Sequence, residues 1–307
     1  MLDENNIRVL FLAIRDFANV GSNYCKALRS IGIRSNLLVS REHGWYDESK
    51  CSVLLKKKED AIPYVKEADV IHFLHGGNPI QGINLKGKKI VVQYTGSNYR
   101  NNPQALNRQF NPIVDLSIVG SSLFGKGAKN EHWTAGGVVD TNFLKPVYER
   151  SSKNIIAGHF HPSSKTKGSG DIVSALRNNK INNFEFRYET TKVSWLNQIK
   201  RVSKCDIYIE RFTRNTGFGM SALEAAALGK IVITTYAFKE KFEKTIDKFE
   251  LISISSIDEL VENIRKIVNL SEEELLNLKK KHRNWVERNF SYSAVGNRLL
   301  NIYRKIL

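Results

Sequence analysis

The stretch Gly217-Phe218-Gly219-Met220-Ser221-Ala222-Leu223-Glu224, running on through Ala225-Ala226-Ala227-Leu228 to Gly229-Lys230, carries the residue types and spacing best suited to chemistry in this chain. It stands between two apolar runs, Asp206–Ile209 and Ile231–Thr234, and so reads as strand, glycine-bearing loop, helix, strand. A helix that begins at such a loop offers unpaired backbone N–H groups and the positive end of its dipole. That is a seat for a diphosphate. Glu224, about one and a half turns into the helix, can reach back as a carboxylate acceptor for sugar hydroxyls. Without these features the stretch is an ordinary βα unit, a small-residue helix packed on a sheet.

The rest of the chain supplies elements able to position such a site. Ile7–Ile14 is a nearly unbroken apolar run, as a parallel strand buried on both faces should be. Asn19-Val20-Gly21-Ser22 reads as the turn after it, Asn23–Ile31 as a helix ended by Gly32, and Ser35–Ser40 as the next strand. A short helix at Ala61–Glu67 leads to strands at Asp69–Phe73, Lys88–Tyr94 and Val114–Val119. A second series starts at Asn154–Gly158, with helices at Asp171–Arg177 and Val193–Val202 around a strand at Phe184–Tyr188. Ile257–Val268 and Ser271–Asn289 are amphipathic, Ser271 and Glu274 forming a capping box, and Tyr292–Leu307 is a last helix. Alternating strands and helices predict a doubly wound α/β architecture in two parts. Ligands in such sheets bind beyond the carboxyl ends of the strands. Gly21, which leaves room for a ligand to approach backbone, and His75, at a strand exit, are candidates on that ground, whereas His72, inside the strand, reads as structural.

The Gly217–Lys230 run resembles the nucleotide-sugar site of retaining glycosyltransferases of family 4, whose pattern reads roughly E-G-F-G-L-S-A-L-E-A-M-A-x-G-K-P-V-I. Gly136-Gly137-Val138-Val139-Asp140-Thr141-Asn142-Phe143-Leu144-Lys145-Pro146 resembles that family's G-V-D-x-x-x-F-x-P run, where the first lobe hands over to the second. Asp69–Gly76 and Gly87–Arg100 are similar to first-lobe runs of a bacterial and archaeal branch. The resemblance implies a GT-B fold: a Rossmann-like acceptor lobe at 1–148, a nucleotide-sugar lobe at 149–290, the two facing a central cleft, and a terminal helix at 291–307 crossing back onto the first lobe. It implies that Thr216, Gly217, Phe218, Gly219, Met220, Ser221 and Glu224 bind the donor, Glu224 at the ribose. Lys167 would be the cation on the donor diphosphate and, with Glu224 and His75, part of the catalytic set. His159 and His161 stand where many members carry an arginine and would hydrogen-bond a phosphate. Thr95, Asn98 and Arg100 fall on the acceptor side. The sequence departs from the pattern at Thr95, where a histidine is usual, at Asn98, where aspartate is usual, and at Thr216, where the first glutamate stands. Threonine hydrogen-bonds but does not act as a base near neutral pH.

Composition narrows the partners. No apolar run reaches the ~20 residues that span a bilayer, and the polar Met1–Asn6 lacks the form of a signal peptide. Three scattered cysteines make no metal-ligand spacing, and no D-x-D is present. The expectation is a metal-independent, cytoplasmic enzyme with no cofactor, its nucleotide-sugar (UDP- or GDP-linked) being a co-substrate. A formal charge of +16 favours an anionic acceptor glycan or lipid-linked glycan and peripheral contact with an acidic membrane, at its inner face. Nucleic acid ranks low as a partner, because no aromatic-basic strip is present to stack bases. A nucleotide-sugar-binding protein without turnover is the alternative that Thr95 and Thr216 motivate.

Overall fold

The structure is a computed structural model that describes residues 7–42, 52–120, 123, 125–134, 136–161, 167–213, 217–237 and 246–307. The chain forms two compact units, residues 1–138 with 291–307, and residues 139–290.

In the first unit β1 (Arg8–Ala13) leads through α1 (Val20–Ser30) to β2 (Arg34–Val39) and β3 (Ser52–Leu54). Next come α2 (Ile62–Glu67), β4 (Val70–Leu74), β5 (Lys89–Tyr94), α3 (Gly96–Asn101), α4 (Pro103–Phe110), β6 (Leu116–Val119) and β7 (Glu131–Trp133). The strands are all parallel, in the order β3-β2-β1-β4-β5-β6-β7. The central strands β1 and β4 are apolar over nearly their whole length because both faces are covered. Val9, Phe11 and Val91 enter one core layer, and Leu10, Leu12 and Val92 the other.

The second unit runs β8 (Ile155–Phe160), α5 (Ser169–Asn178), β9 (Phe184–Glu189), α6 (Trp195–Ser203), β10 (Ile207–Ile209), α7 (Met220–Ala227), β11 (Ile231–Thr234), β12 (Ile252–Ser253), α8 (Ile257–Val268) and α9 (Glu272–Phe290). Its sheet is parallel too, ordered β12-β11-β10-β8-β9. The expected capping box closes the start of α9. Glu274 N–H donates to Ser271 Oγ at 3.2 Å, and Ser271 N–H to Glu274 Oε2 at 2.8 Å.

The chain then returns to the first unit as α10 (Tyr292–Tyr303). Val295, Leu299, Ile302 and Tyr303 join the core layer of Phe11 and Val20, and the Tyr303 hydroxyl meets His72 Nδ1 at 2.8 Å. Gly296 lets α10 approach α1 closely: a Cβ there would lie 2.4 Å from Ala27 O.

The division between units falls ten residues before the 148/149 boundary read from sequence. Residues 139–148 are tied into the second unit. Arg283 donates to Leu144 O and Thr141 O, Val147 N–H to Leu228 O at 3.0 Å, and buried Lys230 to Val147 O at 2.6 Å. In both sheets the order reverses once, between β1 and β4 and between β8 and β10. Connections leaving those neighbouring strands diverge and open a crevice at the carboxyl edge.

Candidate functional site

At the β8/β10 reversal the segment arriving at α5 and the segment leaving β10 bring charges together. Glu210, the first residue past β10, is fully buried. Lys167 Nζ pairs with its Oε1. Arg211 Nε donates to Oε1 at 2.8 Å and Oε2 at 2.6 Å, and Thr234 Oγ1 donates to Oε2 at 2.9 Å. Burial works against the Glu210 charge, but Lys167 and Arg211 beside it hold the carboxyl down at about 2. Burial pulls Lys167 below the usual lysine range, with Glu210 opposing. Lys167 is only 7% exposed. Its loop is pinned where Phe212 N–H donates to Lys167 O at 2.9 Å and where Gly168 takes φ +67.

Gly219 caps α7, which has no side-chain cap and no acidic residue in its first turn. Its missing side chain matters: a Cβ would lie 2.8 Å from Arg211 Nη2, 2.9 Å from Glu210 Oε1 and 3.4 Å from Lys167 Nζ. The glycine loop, the helix N-terminus and Lys167 therefore meet. Met220 and Ser221 form the first helical turn. The Ser221 hydroxyl is engaged by Tyr208.

Glu224 sits half-buried on the same helix. Trp195 Nε1 donates to its Oε1 at 2.7 Å, and the indole stacks on Phe143 with ring centroids 5.6 Å apart. Burial raises the Glu224 carboxyl to about 7, the Trp195 hydrogen bond partly opposing. Because the folded value exceeds the ordinary 4.5, the folded chain holds this proton more tightly than the unfolded chain. The contribution is fully present below about pH 4.5 and is lost as pH rises through about 7. Glu224→Gln is expected to remove that slope. The variant should gain on the parent by up to roughly 3 kcal/mol at about pH 8, less as water reaches the half-buried carboxylate. Urea melts at both ends of the window check this; parallel pH dependence in the two proteins would place the slope elsewhere.

Three expectations need correction. His159 was expected at a phosphate, yet it is fully buried with both ring nitrogens engaged, Nδ1 at Ile209 O (2.7 Å) and Nε2 at Ser169 Oγ (2.8 Å). It braces the start of α5 instead. Phe218 directs its ring into an aromatic cluster with Tyr236, Phe249, Trp285 and Phe290, so it anchors the Gly217–Gly219 loop from below rather than facing a donor. Gly21 is no open turn. It is a buried residue of α1 whose N–H donates to Asp16 Oδ1 at 2.7 Å, and a Cβ there would lie 2.7 Å from Leu74 Cδ1 and 2.9 Å from Leu37 Cδ1. It serves helix-on-sheet packing. His161 stays near the Lys167–Glu210 pair, held neutral because burial and Lys167 lower it to about 4. Thr216, and Lys165, the lysine two residues before Lys167 that competes with it for the diphosphate role, lie outside the described residues.

The first unit gathers its own group at the β1/β4 reversal. His75 leaves β4 with φ +59, a left-handed backbone uncommon outside glycine. Its Nδ1 meets Thr95 Oγ1 at 2.6 Å, Asn98 Nδ2 donates to its carbonyl at 3.2 Å, and Phe17 contacts its ring edge-on at 5.4 Å. His75, Thr95 and Asn98 are thus brought together, while Arg100 stands exposed in the last turn of α3.

Sequence reasoning passed over Glu210 and Arg211, whose only signal was a charged pair immediately after a short buried strand. No group of three His, Cys, Asp or Glu positioned to hold a metal occurs among the described residues, and none of their helices is long and apolar enough to cross a membrane.

No protein-family model and no curated protein matches the chain. Solved structures do. The chain is similar to an alpha-glucosyltransferase in complex with UDP (TM-score 0.67, 10% identity, covering 97% of this chain and 100% of that one). It is similar to a glycosyltransferase from Rickettsia africae (TM-score 0.67, 15% identity, 98% and 99%), and to HepE of Anabaena in complex with UDP-glucose (TM-score 0.66, 14% identity, 98% and 100%). At such identities the likeness establishes the fold: two Rossmann-like parallel-sheet units, the architecture of GT-B glycosyltransferases.

Proposed function

We propose that this chain is a glycosyltransferase that moves a sugar from a nucleotide-sugar to an acceptor hydroxyl. The observation that carries the reading is the meeting, in the second unit, of buried Lys167 with the uncapped N-terminus of α7 at Gly219, and of Glu224 on that same helix. A fold shared with proteins holding UDP and UDP-glucose supports it. In this reading the α7 N-terminus and Lys167 take the donor diphosphate, and Glu224 accepts from the ribose hydroxyls. The acceptor oxygen bonds to the anomeric carbon as the bond from that carbon to the diphosphate oxygen breaks. The acceptor proton passes to the departing phosphate oxygen, so no separate protein base is required. Such a same-face route retains configuration, in keeping with family 4, and the chain's task is positioning and charge stabilisation. The His75–Thr95–Asn98 group and Arg100 belong to the acceptor side, and UDP- or GDP-linked sugars are the donors. The charge of +16 points to an anionic glycan or lipid-linked glycan as acceptor, and to glycan or glycolipid synthesis at an acidic membrane surface.

The test is transfer of labelled sugar from UDP- and GDP-sugars to acidic and neutral acceptors, with and without acidic vesicles, at low and high salt. The expected result is transfer that prefers the acidic acceptor and falls with salt. Tight donor binding with neither transfer nor hydrolysis would establish instead the reading that Thr95 and Thr216 favour, a donor-binding protein without turnover. Absence of binding by any nucleotide-sugar would overturn both.

A further inference from the structure

We propose that Arg211 is a second cation of the donor diphosphate seat, and that Glu210 is the shared counter-ion holding Arg211 and Lys167 in place before the donor arrives. The inference rests on the glycosyltransferase reading and names a residue that sequence patterns did not point to.

The charge count is the first argument. One buried carboxylate, Glu210, faces two cations, Lys167 and Arg211, so one positive charge at this strand exit is uncancelled. Among the described residues, the other groups facing the pair do not cancel it. Thr234 is neutral, His159 spends both nitrogens inside the unit, and His161 is neutral.

Geometry is the second. Arg211 meets Glu210 through Nε alone. Its two terminal nitrogens meet no acceptor among the described residues, and Nη2 lies against Gly219, where a Cβ would come within 2.8 Å. The guanidinium edge is thereby directed at the N-terminus of α7, which has neither a capping side chain nor an acidic residue in its first turn. Lys167 Nζ points to the same place, 3.4 Å from that Cβ position. A helix N-terminus normally attracts negative charge. Here two cations converge on one with a single carboxylate between them, Glu210 Oε1 lying 2.9 Å from the same Cβ position, so the cluster keeps a net positive charge until a further anion enters. A diphosphate supplies the missing charge, and the planar fork of an arginine grips two of its oxygens where a lysine supplies a point charge.

Glu210 explains how the cations tolerate the wait. Its carboxylate fixes the rotamer of both, so little side-chain entropy is lost on binding. Arg211 is in this sense a binding residue and Glu210 a positioning residue.

Calorimetry with uridine, UMP and UDP, and with guanosine, GMP and GDP, tests the assignment on the parent protein, Arg211→Met and Arg211→Lys. The parent should prefer the diphosphate strongly over the nucleoside. Arg211→Met should lose about tenfold to a hundredfold in diphosphate affinity, as expected for charge-assisted hydrogen bonds, and keep its nucleoside affinity. Arg211→Lys, which retains the charge that pairs with Glu210 and so guards against a folding failure, should recover only part of the loss. A merely structural arginine would lower nucleoside and diphosphate affinity together, or neither. Parent-like diphosphate affinity in either folded variant overturns the proposal while leaving the glycosyltransferase reading intact. Failure of the parent itself to bind any nucleotide or nucleotide-sugar overturns both.

Discussion

Lys167→Met should cut sugar transfer by about a hundredfold to a thousandfold while uridine or guanosine competes about as well as before. The effect is large because charge develops on the departing diphosphate only as the glycosidic bond breaks. A buried cation is worth most at that moment, and removal of one preorganised donor of this kind costs about that factor. Methionine keeps the length and apolar stem of the lysine. Glu210 retains Arg211 and Thr234 as partners, so the unit should still fold. Steady-state rates beside a thermal melt of the same sample provide the check. A folded Lys167→Met with unchanged kcat would remove Lys167 from the mechanism, and a loss confined to Lys165→Met would move the role to that neighbour.

Gly168→Ala should destabilise the second unit by about 2–6 kcal/mol, the largest stability effect expected of any single methyl in this loop. Two costs add. The backbone stands at φ +67, where a non-glycine residue pays about 1–3 kcal/mol. The new Cβ would also lie 1.8 Å from the carbonyl oxygen of Phe212, a backbone atom that cannot rotate aside, and such overpacking adds roughly 1–3 kcal/mol. The neighbouring Gly170 is the control. It lies within α5 with nothing near its absent side chain, so Gly170→Ala should be neutral or stabilising by about 0.5–1 kcal/mol. Denaturant melts of both variants settle it; equal effects would mean that the Lys167-Gly168 turn adapts and does not hold Lys167 in a fixed place.

The parts of the fold that follow from periodicity and punctuation could be read directly from residues. Ile7–Ile14, Asp69–Phe73 and Ile231–Thr234 announce buried parallel strands because nearly every position within them is apolar, with no polar face. Ser271 with Glu274 announces a helix start because the two satisfy each other's backbone donors. Short edge elements such as β3 and β7 carry no such pattern. Within the site, Gly219 and the start of its helix could be read from the strand-loop-helix pattern, whereas Lys167 and the ribose role of Glu224 came from the resemblance to the family 4 pattern. Side-chain direction could not. Whether Phe218 faces a ligand or the aromatic cluster, and whether Gly21 faces a ligand or Leu74, depends on which residues from distant segments fill the space behind them. His159 shows the same limit: the sequence places it at a strand exit, but only the proximity of Ile209 and Ser169 reveals that its nitrogens are already committed. Glu210 and Arg211 escaped notice because an ion pair between segments 43 residues apart leaves no local trace.

The return of α10 to the first unit also sets an order of assembly during synthesis. Residues 139–290 form one uninterrupted stretch, so the second unit has all of its own chain once Phe290 has left the ribosome. The first unit does not. Val295, Leu299, Ile302 and Tyr303 cover the core layer that Phe11, Val20 and Leu28 began, and they are made after the whole of the second unit. Until then that apolar layer and the ring of His72 lack their cover, and the nascent first unit must wait, partly open, while residues 139–290 are made. The unit whose synthesis starts first is therefore the one whose folding is completed last, and its uncovered layer is the surface a chaperone would meet in the interval.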